Sequence, residues 1–315
     1  MDLSVIVPVY NEEESLPELL SWIDRVVKAN NISTEVILID DGSRDNSWDV
    51  IRDLSKQYSI IRAIRFRRNY GKAAALYCGF DAAKGKVVIT MDADLQDSPD
   101  EIPELCKMII DDGFDVVSGW KRKRYDPITK TLPSKLYNGI VRWFTGIRLH
   151  DFNCGLKAYK NKVVKSIEVY GDMHRYIPVL AKKSGFKKIG EKEVQHYKRK
   201  FGVSKYGWGR MKGMLDILSI LFISKYGKKP MHLFGSIGTL MFLLGFTAAF
   251  ALGARKLYFL AQHITVEKVT DNALFYISLA AMIIGTQLFT SGFIGELVTR
   301  NSAERNLYLI DEKIN

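Results

Sequence analysis

Hydrophobic and polar positions follow two different periods along the first half of the chain. Short apolar, β-branched runs predict strands that are buried on both faces. The segments between them repeat apolar residues every three to four positions, which predicts helices. The alternation predicts an α/β fold with a mostly parallel, doubly wound sheet. The predicted strands are Leu3–Val9, Glu35–Asp40, Ile60–Phe66, Val87–Met91 and Asp115–Ser118.

The predicted helices occupy the intervals between these strands. Asn11 and Glu14 have the spacing of a capping box, which predicts that the first helix opens there and runs to about Ala29. A loop that runs into a further strand is expected over His150–Tyr159. The other predicted helices are Ser47–Gln57, Gly71–Ala83, Pro99–Ile110 and Lys135–Phe144.

Two long apolar segments dominate the last third of the chain. Met231–Gly253 and Asn272–Gly295 contain no Asp, Glu, Lys or Arg, and each is long enough to cross a bilayer. The alternative is a pair of long core helices in a soluble protein. Upstream, Trp208–Ser224 fits a helix in the membrane interface or an ordinary core-facing helix. The predicted divisions are a domain over 1–207, an interfacial helix over 208–229, a two-helix hairpin over 230–298 and a tail over 299–315.

The charge balance indicates an anionic partner. The formal net charge is +11, from 46 Lys and Arg against 35 Asp and Glu. The basic residues gather beside the apolar segments, as at Lys225, Lys228 and Lys229, which favours a membrane surface over nucleic acid. The positive-inside rule then places the first domain and the C-terminus in the cytoplasm. Cys78 and Cys106 form no metal-binding spacing with the third cysteine, Cys154, as expected in a reducing compartment.

Acidic residues follow three of the predicted strands. These positions lie in the segments Pro8–Glu12, Asp40–Ser43 and Asp92–Asp94. Ligands of open α/β sheets bind at the carboxyl ends of the strands, so the three segments are expected to line one crevice. Asp92 and Asp94 would point to opposite faces of an extended strand, so the chain must turn there for both to meet one ligand. A divalent cation on a diphosphate uses one or two carboxylates and a further oxygen ligand such as Gln96.

The segment Asn69–Lys72 opens a predicted helix, where backbone amides and the Lys72 ammonium favour an anion. Neither a Walker A loop nor a GxGxxG fingerprint is found, which disfavours P-loop ATPases and classical dinucleotide enzymes. His150, His174 and His196 lack the spacing of metal ligands.

Four motifs in order resemble the GT-A glycosyltransferases of family 2. They are VIVPVYNEEESL, ILIDDGSRDNS, NYGKAAAL and MDADLQDSP. The closer resemblance is to polyprenyl-phosphate glycosyltransferases, the group of dolichyl-phosphate mannose synthase and bacterial undecaprenyl-phosphate glucosyltransferases. It covers residues 1 to about 210, and the two apolar segments are similar to the membrane-anchored branch. It implies a multi-pass protein of the inner membrane with a cytoplasmic GT-A domain, and a homo-oligomer such as a tetramer.

The resemblance also implies roles for individual residues. Asp94 and Gln96 would hold Mg²⁺ or Mn²⁺ on the diphosphate, and Arg199 and Lys205 would bind phosphates near the site. Asp151 matches an acid that acts as a base or positions the acceptor. We expect the positioning role, because a lipid phosphate is already an anion at neutral pH. The residues implied in nucleotide-sugar binding are Pro8, Tyr10, Glu12, Asp40, Lys72, Asp92, Ala93 and Lys121.

Two departures from the family pattern narrow the expectation. Lys121 stands where relatives often have arginine, so it supplies charge without a bidentate fork. The pair Arg142-Trp143 lacks the preceding glutamine of the QxxRW motif, which disfavours a processive polysaccharide synthase.

The expected activity is inverting, metal-dependent transfer of one hexose from a nucleotide-diphosphate sugar to polyprenyl phosphate. UDP-glucose is the favoured donor, and GDP-mannose is the alternative. A membrane scaffold that retains the fold without catalysis is a rival, although Asp92, Asp94 and Gln96 speak against it. A nucleic-acid-binding protein is the other rival, and only the basic charge suggests it.

Overall fold

The computed structural model describes most of the chain. The described residues are 1–122, 138–139, 141–143, 145–171, 173–201, 230–265, 268–301 and 310–314. The chain divides into two compact units, one of Met1–Leu218 with Glu304–Asn315 and one of Ser219–Ala303. Lys205, the predicted interfacial helix and half of the predicted helix at Lys135–Phe144 lie outside the described residues.

One mixed sheet of eight strands organises the described part of the first unit. The strand order is β7-β5-β6-β4-β1-β2-β3-β8. Strands β4, β1, β2 and β3 are mutually parallel, whereas β6 runs antiparallel to both β4 and β5 and β8 antiparallel to β3. The predicted mostly parallel α/β sheet is therefore confirmed. The strands are β1 (Leu3–Val9), β2 (Thr34–Asp40), β3 (Ile61–Phe66), β4 (Val87–Thr90), β5 (Val116–Trp120), β6 (Lys157–Lys160), β7 (Ile189–Glu193) and β8 (Ile310–Ile314).

Helices cover this sheet through their apolar faces. Helix α1 buries Leu16, Leu19 and Ile23, which belong to the same hydrophobic core as Val5 of β1 and Ile89 of β4. Burial of such side chains is worth about 1.5–3 kcal/mol each, so the periodic apolar positions fix how the helix faces the sheet. The helices of the first unit are α1 (Leu16–Ala29), α2 (Ser47–Gln57), α3 (Lys72–Ala82), α4 (Ile102–Ile110), α5 (Asn161–Ser166) and α6 (Ile177–Lys183). The second unit has α7 (Pro230–Ala261) and α8 (Ala273–Asn301).

The prediction that Asn11 caps the first helix is wrong. Helix α1 begins at Leu16, and its N-cap residue is Ser15. Asn11 has a left-handed backbone with φ of 51°, and its side-chain oxygen accepts a hydrogen bond from the Arg44 amide at 2.8 Å. Asparagine tolerates this conformation because its short side chain bonds locally. Asn11 thus connects the loop after β1 to the loop after β2 and does not cap the helix.

The C-terminal strand β8 was not predicted. Its five residues, Ile310–Ile314, include three charged side chains, so they carry little of the apolar signal of the buried strands. The strand pairs with β3 in antiparallel register, with Arg65 opposite Glu312. The end of the chain is therefore part of the first unit and of its sheet.

The second unit contains two long helices that pack together. Helices α7 and α8 include the apolar windows Met231–Ala261 and Ala273–Gly295, with mean hydropathies of 1.9 and 1.7. Only 11% of each window is buried. A core helix of a soluble protein would be mostly buried, so the alternative of two soluble core helices does not fit. Both helices have the length and composition of membrane spans.

Glycines allow the backbones of α7 and α8 to approach closely. A Cβ atom added to Gly238 would lie 2.5 Å from the Gly285 carbonyl oxygen, and one added to Gly285 would lie 2.6 Å from that of Gly238. Helices in lipid gain little from the hydrophobic effect, so close packing of small residues holds them together. Any side chain at these two positions must separate the helices.

We expect Gly285→Leu to destabilise the helix pair, by about 1–3 kcal/mol for an overpacked contact. The matched control is Gly253→Leu on α7, because no atom lies within 4 Å of a Cβ atom there. Thermal unfolding of the purified protein in detergent should show a lower Tm for the first variant alone. Equal Tm values for the two variants would contradict the close contact.

Candidate active site

The predicted acidic segments meet at one edge of the sheet. Val9 at the end of β1 pairs with Asp40 at the end of β2, and Ile6 pairs with Thr90 at the end of β4. Because these strands are parallel, the loops that follow them leave the sheet on the same side. The structure therefore brings together the residues that follow β1, β2 and β4, as the sequence predicted.

Hydrogen bonds fasten the loop after β1 to the loop after β2. The Asn11 amide donates to Ser43 Oγ at 2.9 Å, and the Glu12 amide donates to Ser47 Oγ at 2.8 Å. Pro8, which lacks an amide hydrogen, pairs with Ile39 within the ladder, and the half-buried Tyr10 follows directly after the strand. These contacts fix the backbone beside the predicted nucleotide-binding residues.

Two buried carboxylates lie at the end of β2 and directly after it. Burial raises the pKa of Asp40, whose Oδ1 accepts a hydrogen bond from the Ser43 amide at 3.0 Å. Asp41 accepts hydrogen bonds from the Tyr70 and Gly71 amides at 2.7 and 2.9 Å, and burial raises its pKa to about 6. Asp41 thus holds the start of α3 against β2. Sequence reasoning gave it no such role, although it stands in the Asp-Asp-Gly-Ser motif.

Lys72 and Asp92 form an ion pair at the centre of the site. Lys72 opens α3, and its Nζ contacts Asp92 Oδ1. Burial alone would raise the pKa of Asp92, but the ammonium groups of Lys72, Lys121 and Lys157 together outweigh it and lower the pKa to about 2. Asp92 is therefore an anion at neutral pH, and the neighbouring Ala93 is buried.

Asp94 lies beside Asp92 because the chain turns directly after β4, as predicted. Ala93 and Asp94 form the turn, and Leu95 has a left-handed backbone with φ of 59°. Burial and the charge of Asp92 raise the pKa of Asp94 to about 6. Arg199 opposes them, since its NH2 lies 2.5 Å from Asp94 Oδ2. The same guanidinium lies 3.9 Å from Glu12 Oε1 and so reaches the loop after β1.

Asp94 and Gln96 fit a hard divalent cation. The backbone amide of Gln96 donates to Asp94 Oδ1 at 3.2 Å, which holds the two residues close together. Carboxylate and amide oxygens are the ligands that Mg²⁺ and Mn²⁺ accept. No group of three or more His, Cys, Asp or Glu side chains suited to a metal occurs among the described residues. A cation on Asp94 and Gln96 would complete its coordination with further oxygens, such as those of water or a diphosphate.

Lys121 lies against a carboxylate that the sequence reasoning overlooked. Its Nζ is 2.6 Å from Oδ1 of the fully buried Asp97. Burial opposes the charge of Lys121, but the Asp97 carboxylate more than offsets this and raises the pKa of the lysine. Lys121 also adds positive charge near Asp92. Asp97 follows Gln96 directly in the MDADLQDSP motif, so the motif itself carried a signal for it.

The segment that carries Asp151 packs onto Asp92. A Cβ atom added to Gly155 would lie 2.3 Å from Asp92 Oδ2, so only glycine permits this approach. Asp151 is 1% exposed, and its Oδ1 accepts a hydrogen bond from the Asn153 amide at 3.0 Å. The structure thus places the Asp151 segment next to the first carboxylate of the site.

Lys157 is a buried cation that the sequence reasoning did not single out. It is 4% exposed at the start of β6, its Nζ donates to the Cys154 carbonyl oxygen, and burial lowers its pKa. A small cavity of about 20 Å³ adjoins it and Lys72. Tyr159 and His174 line this cavity, and the buried His174 Nδ1 has no hydrogen-bond partner among the described residues. The cavity has room for about one water molecule.

The fold, with its acidic strand ends, belongs to the glycosyltransferase class, and comparison with known proteins shows the family. The family model "Glycosyl transferase family 2" matches residues 4–167. The chain belongs to this family, which confirms the resemblance of its four motifs.

Curated relatives match nearly the whole chain. The dodecaprenyl-phosphate galacturonate synthase of Rhizobium johnstonii is 32% identical over 304 residues, covering 95% of this chain and 88% of the relative. The undecaprenyl-phosphate 4-deoxy-4-formamido-L-arabinose transferase of Aeromonas hydrophila is 35% identical over 301 residues, with the same coverage.

Solved structures share the fold of the first unit. The glucosyl-3-phosphoglycerate synthase of Mycobacterium tuberculosis, solved with Mn²⁺, UDP-glucose and phosphoglyceric acid, superposes with a TM-score of 0.55 at 18% identity. The match covers 70% of this chain and 79% of the synthase. The GT-A fold expected from the motifs is thereby confirmed.

We expect Mn²⁺ binding to weaken as the pH falls through about 6. Protonation of Asp94, whose pKa is raised to about 6, neutralises a carboxylate that the metal requires, so the affinity should fall up to about tenfold per pH unit below that value. Calorimetric titration with Mn²⁺ in the presence of a nucleoside diphosphate at pH 5 to 8 measures this. Asp94→Asn should abolish the pH dependence and most of the affinity, while Asp100→Asn, at an exposed carboxylate, should leave both unchanged. A pH-independent affinity in the wild-type protein would refute the assignment of Asp94.

Proposed function

We propose that the protein transfers a single sugar from a nucleotide-diphosphate sugar to a polyprenyl phosphate and so makes a lipid-linked sugar. The observation that carries the proposal is the pair Asp92 and Asp94 at the end of β4, balanced by Lys72 and Arg199. The relatives from Rhizobium and Aeromonas, which align with 95% of the chain, are polyprenyl-phosphate sugar transferases by name.

The donor is proposed to lie along the strand ends. Asp40 and the loop with Pro8, Tyr10 and Glu12 would hold the nucleoside, and Lys72 with Asp92 and Ala93 would face the ribose and the diphosphate. Asp94 and Gln96 would hold Mg²⁺ or Mn²⁺, which neutralises charge on the diphosphate. Lys121 and Lys157 make the surroundings of Asp92 more positive, which suits a dianionic ligand.

The reaction itself exchanges one bond to the anomeric carbon for another. An oxygen of the polyprenyl phosphate attacks this carbon while its bond to the diphosphate breaks, and one such displacement inverts the configuration. Arg199 reaches both Asp94 and Glu12, so it can turn from these carboxylates to the departing diphosphate, whose charge rises in the transition state. Lys205 is proposed to assist it.

Asp151 is proposed to orient the acceptor rather than remove a proton. The lipid phosphate is already an anion at neutral pH and needs no base. The buried Asp151 carboxylate is fixed by the Asn153 amide, and its segment packs on Asp92. This rigidity suits a positioning group.

The donor sugar is proposed as one of a small set. The sequence favoured UDP-glucose, whereas the relatives are named for galacturonate and for 4-deoxy-4-formamido-L-arabinose. The proposal therefore keeps a uronic acid and a 4-substituted pentose beside glucose as donor sugars, with GDP-mannose as the alternative nucleotide donor.

The function predicts sugar incorporation into lipid by the full-length protein in detergent. Undecaprenyl phosphate and Mn²⁺ are offered with UDP-glucose, UDP-galacturonate, UDP-4-deoxy-4-formamido-L-arabinose and GDP-mannose in turn, and the extracted lipid is analysed by mass spectrometry. We expect one donor to give a monoglycosyl lipid phosphate. Asp94→Ala or excess EDTA should lower the rate at least about 10²-fold. Nucleotide binding with no transfer from any donor would instead favour the non-catalytic scaffold.

The protein is proposed to be a multi-pass protein of the inner membrane with its first unit in the cytoplasm. The relatives act on polyprenyl phosphates by name, and α7 and α8 have the dimensions of two spans. Strand β8 follows the second span and pairs with β3 in the first unit. The chain must therefore return to the side from which it left, which requires an even number of crossings.

Single-cysteine reporters test this topology in intact cells. With Cys78, Cys106 and Cys154 replaced by serine, a cysteine at Gln262, between the two helices, should react with a membrane-impermeant maleimide. A cysteine at Lys313 should react only after the membrane is opened. The opposite labelling pattern would invert the proposed orientation, and labelling of both sites would contradict the hairpin.

A further inference from the structure

The strand that closes the chain covers an edge of the sheet next to the nucleotide-binding loops. After α8 the chain returns and pairs β8 with β3, with Ala63 opposite Ile314 and Arg65 opposite Glu312. Ile314 packs against the hydrophobic core of the sheet. Strand β3 would otherwise leave its backbone groups unpaired at the edge.

Glu312 satisfies a buried donor on α2. Trp48 is 2% exposed, and its indole Nε1 donates to Glu312 Oε2 at 3.0 Å. A buried tryptophan needs an acceptor for this hydrogen, since an unsatisfied donor is costly. Arg52 NH2 lies 3.4 Å from the same carboxylate oxygen. The last strand therefore sets the position of the Trp48 ring.

The Trp48 ring in turn supports Arg65. The guanidinium carbon of Arg65 lies 5.6 Å from the ring centroid, in the geometry of a cation–π contact. Arg65 Nε lies 3.5 Å from Asp40 Oδ2. Arg65 thus lies between the aromatic face of Trp48 and the carboxylate of Asp40.

The two carboxylate oxygens of Asp40 have different neighbours, and Arg65 lies against the second oxygen. Its Oδ1 accepts the Ser43 amide, but its Oδ2 is buried and has no hydrogen-bond partner among the described residues. Arg65 Nε, at 3.5 Å, is the positive charge that the structure places against this second oxygen. A shift of the guanidinium would therefore rotate the carboxylate at the end of β2.

We propose that Glu312 is a positioning residue for nucleotide binding. It fixes Trp48, Trp48 supports Arg65, and Arg65 orients Asp40. The proposal rests on the nucleotide-binding role of Asp40 within the proposed function. It assigns to the C-terminal strand a part in donor affinity, in addition to its part in the sheet.

Nucleotide affinity tests the proposal without requiring sugar transfer. Full-length protein in detergent is titrated with uridine diphosphate and guanosine diphosphate in the presence of Mn²⁺, and the Kd is measured for whichever binds. Glu312→Ala should raise this Kd about three- to tenfold, because one charged hydrogen-bond partner is lost. Glu312→Gln still offers Trp48 an acceptor and should stay within about twofold of wild type. Lys313→Ala, the next residue along β8 and an exposed one, is the matched control and should leave the Kd unchanged.

A double-mutant cycle separates the proposed route from a general loss of structure. In a Trp48→Phe background the indole hydrogen is absent, so Glu312→Ala should have almost no further effect on the Kd. An unchanged Kd in folded Glu312→Ala would overturn the proposal, and so would an effect of equal size in both backgrounds. If Glu312→Ala does not fold, Arg65→Gln serves in its place: it should raise the Kd at least as much, and an unchanged Kd would overturn the proposal.

The outcomes also distinguish this inference from the proposed function. Wild-type protein that binds a nucleotide but glycosylates no polyprenyl phosphate would refute the function and leave the role of Glu312 to be decided by the Kd values. Active wild-type protein with a Kd insensitive to Glu312→Ala would refute the positioning role alone. Wild-type protein that binds neither nucleotide would refute both.

Discussion

Two carboxylates crowded at the end of one strand are the constraint on which the site depends. Burial of Asp94 and the charge of the neighbouring Asp92 both raise the pKa of Asp94, so the repulsion between the two carboxylates is costly. The balancing cations come from distant parts of the chain, Lys72 from the start of α3 and Arg199 from beyond β7. Because each cation must reach the end of β4, the sheet order, the loop after β1 and the segment after β7 are all arranged around this point.

Much of the sheet could be predicted because its strands carry a strong local signal. Strands β1, β2 and β4 are mostly apolar runs, and each leads to the acidic residues that the sequence identified. The start of α1 was predicted wrongly, since Asn11 bonds to Arg44 across 33 positions and no local pattern records such a contact. Strand β8 was missed because its stability comes from pairing with β3, which lies more than 240 positions away in the chain.

The site shows the same division between local and long-range information. The motif spacing indicates the chemistry of Asp92, Asp94 and Lys72. The structure places these three residues together. The partners of these residues could not be predicted in the same way. Lys121 was expected in nucleotide-sugar binding, and its pairing with Asp97 was not foreseen; the pair forms because a buried carboxylate needs a counter-charge. Such pairings depend on which side chains burial brings together, and a motif does not state that.

The position of β8 has a consequence for how the protein is made. A ribosome delivers β1 to β7 first, then both long apolar helices, and the strand that covers β3 comes last. Until then the edge of β3 is open, and the indole hydrogen of Trp48 has no acceptor from Glu312. Completion of the sheet therefore waits for synthesis of the apolar hairpin. A chain that stops before β8, or whose apolar helices fail to insert, keeps an unpaired strand edge at β3. Such an edge pairs readily with other strands, and chaperones and proteases recognise it.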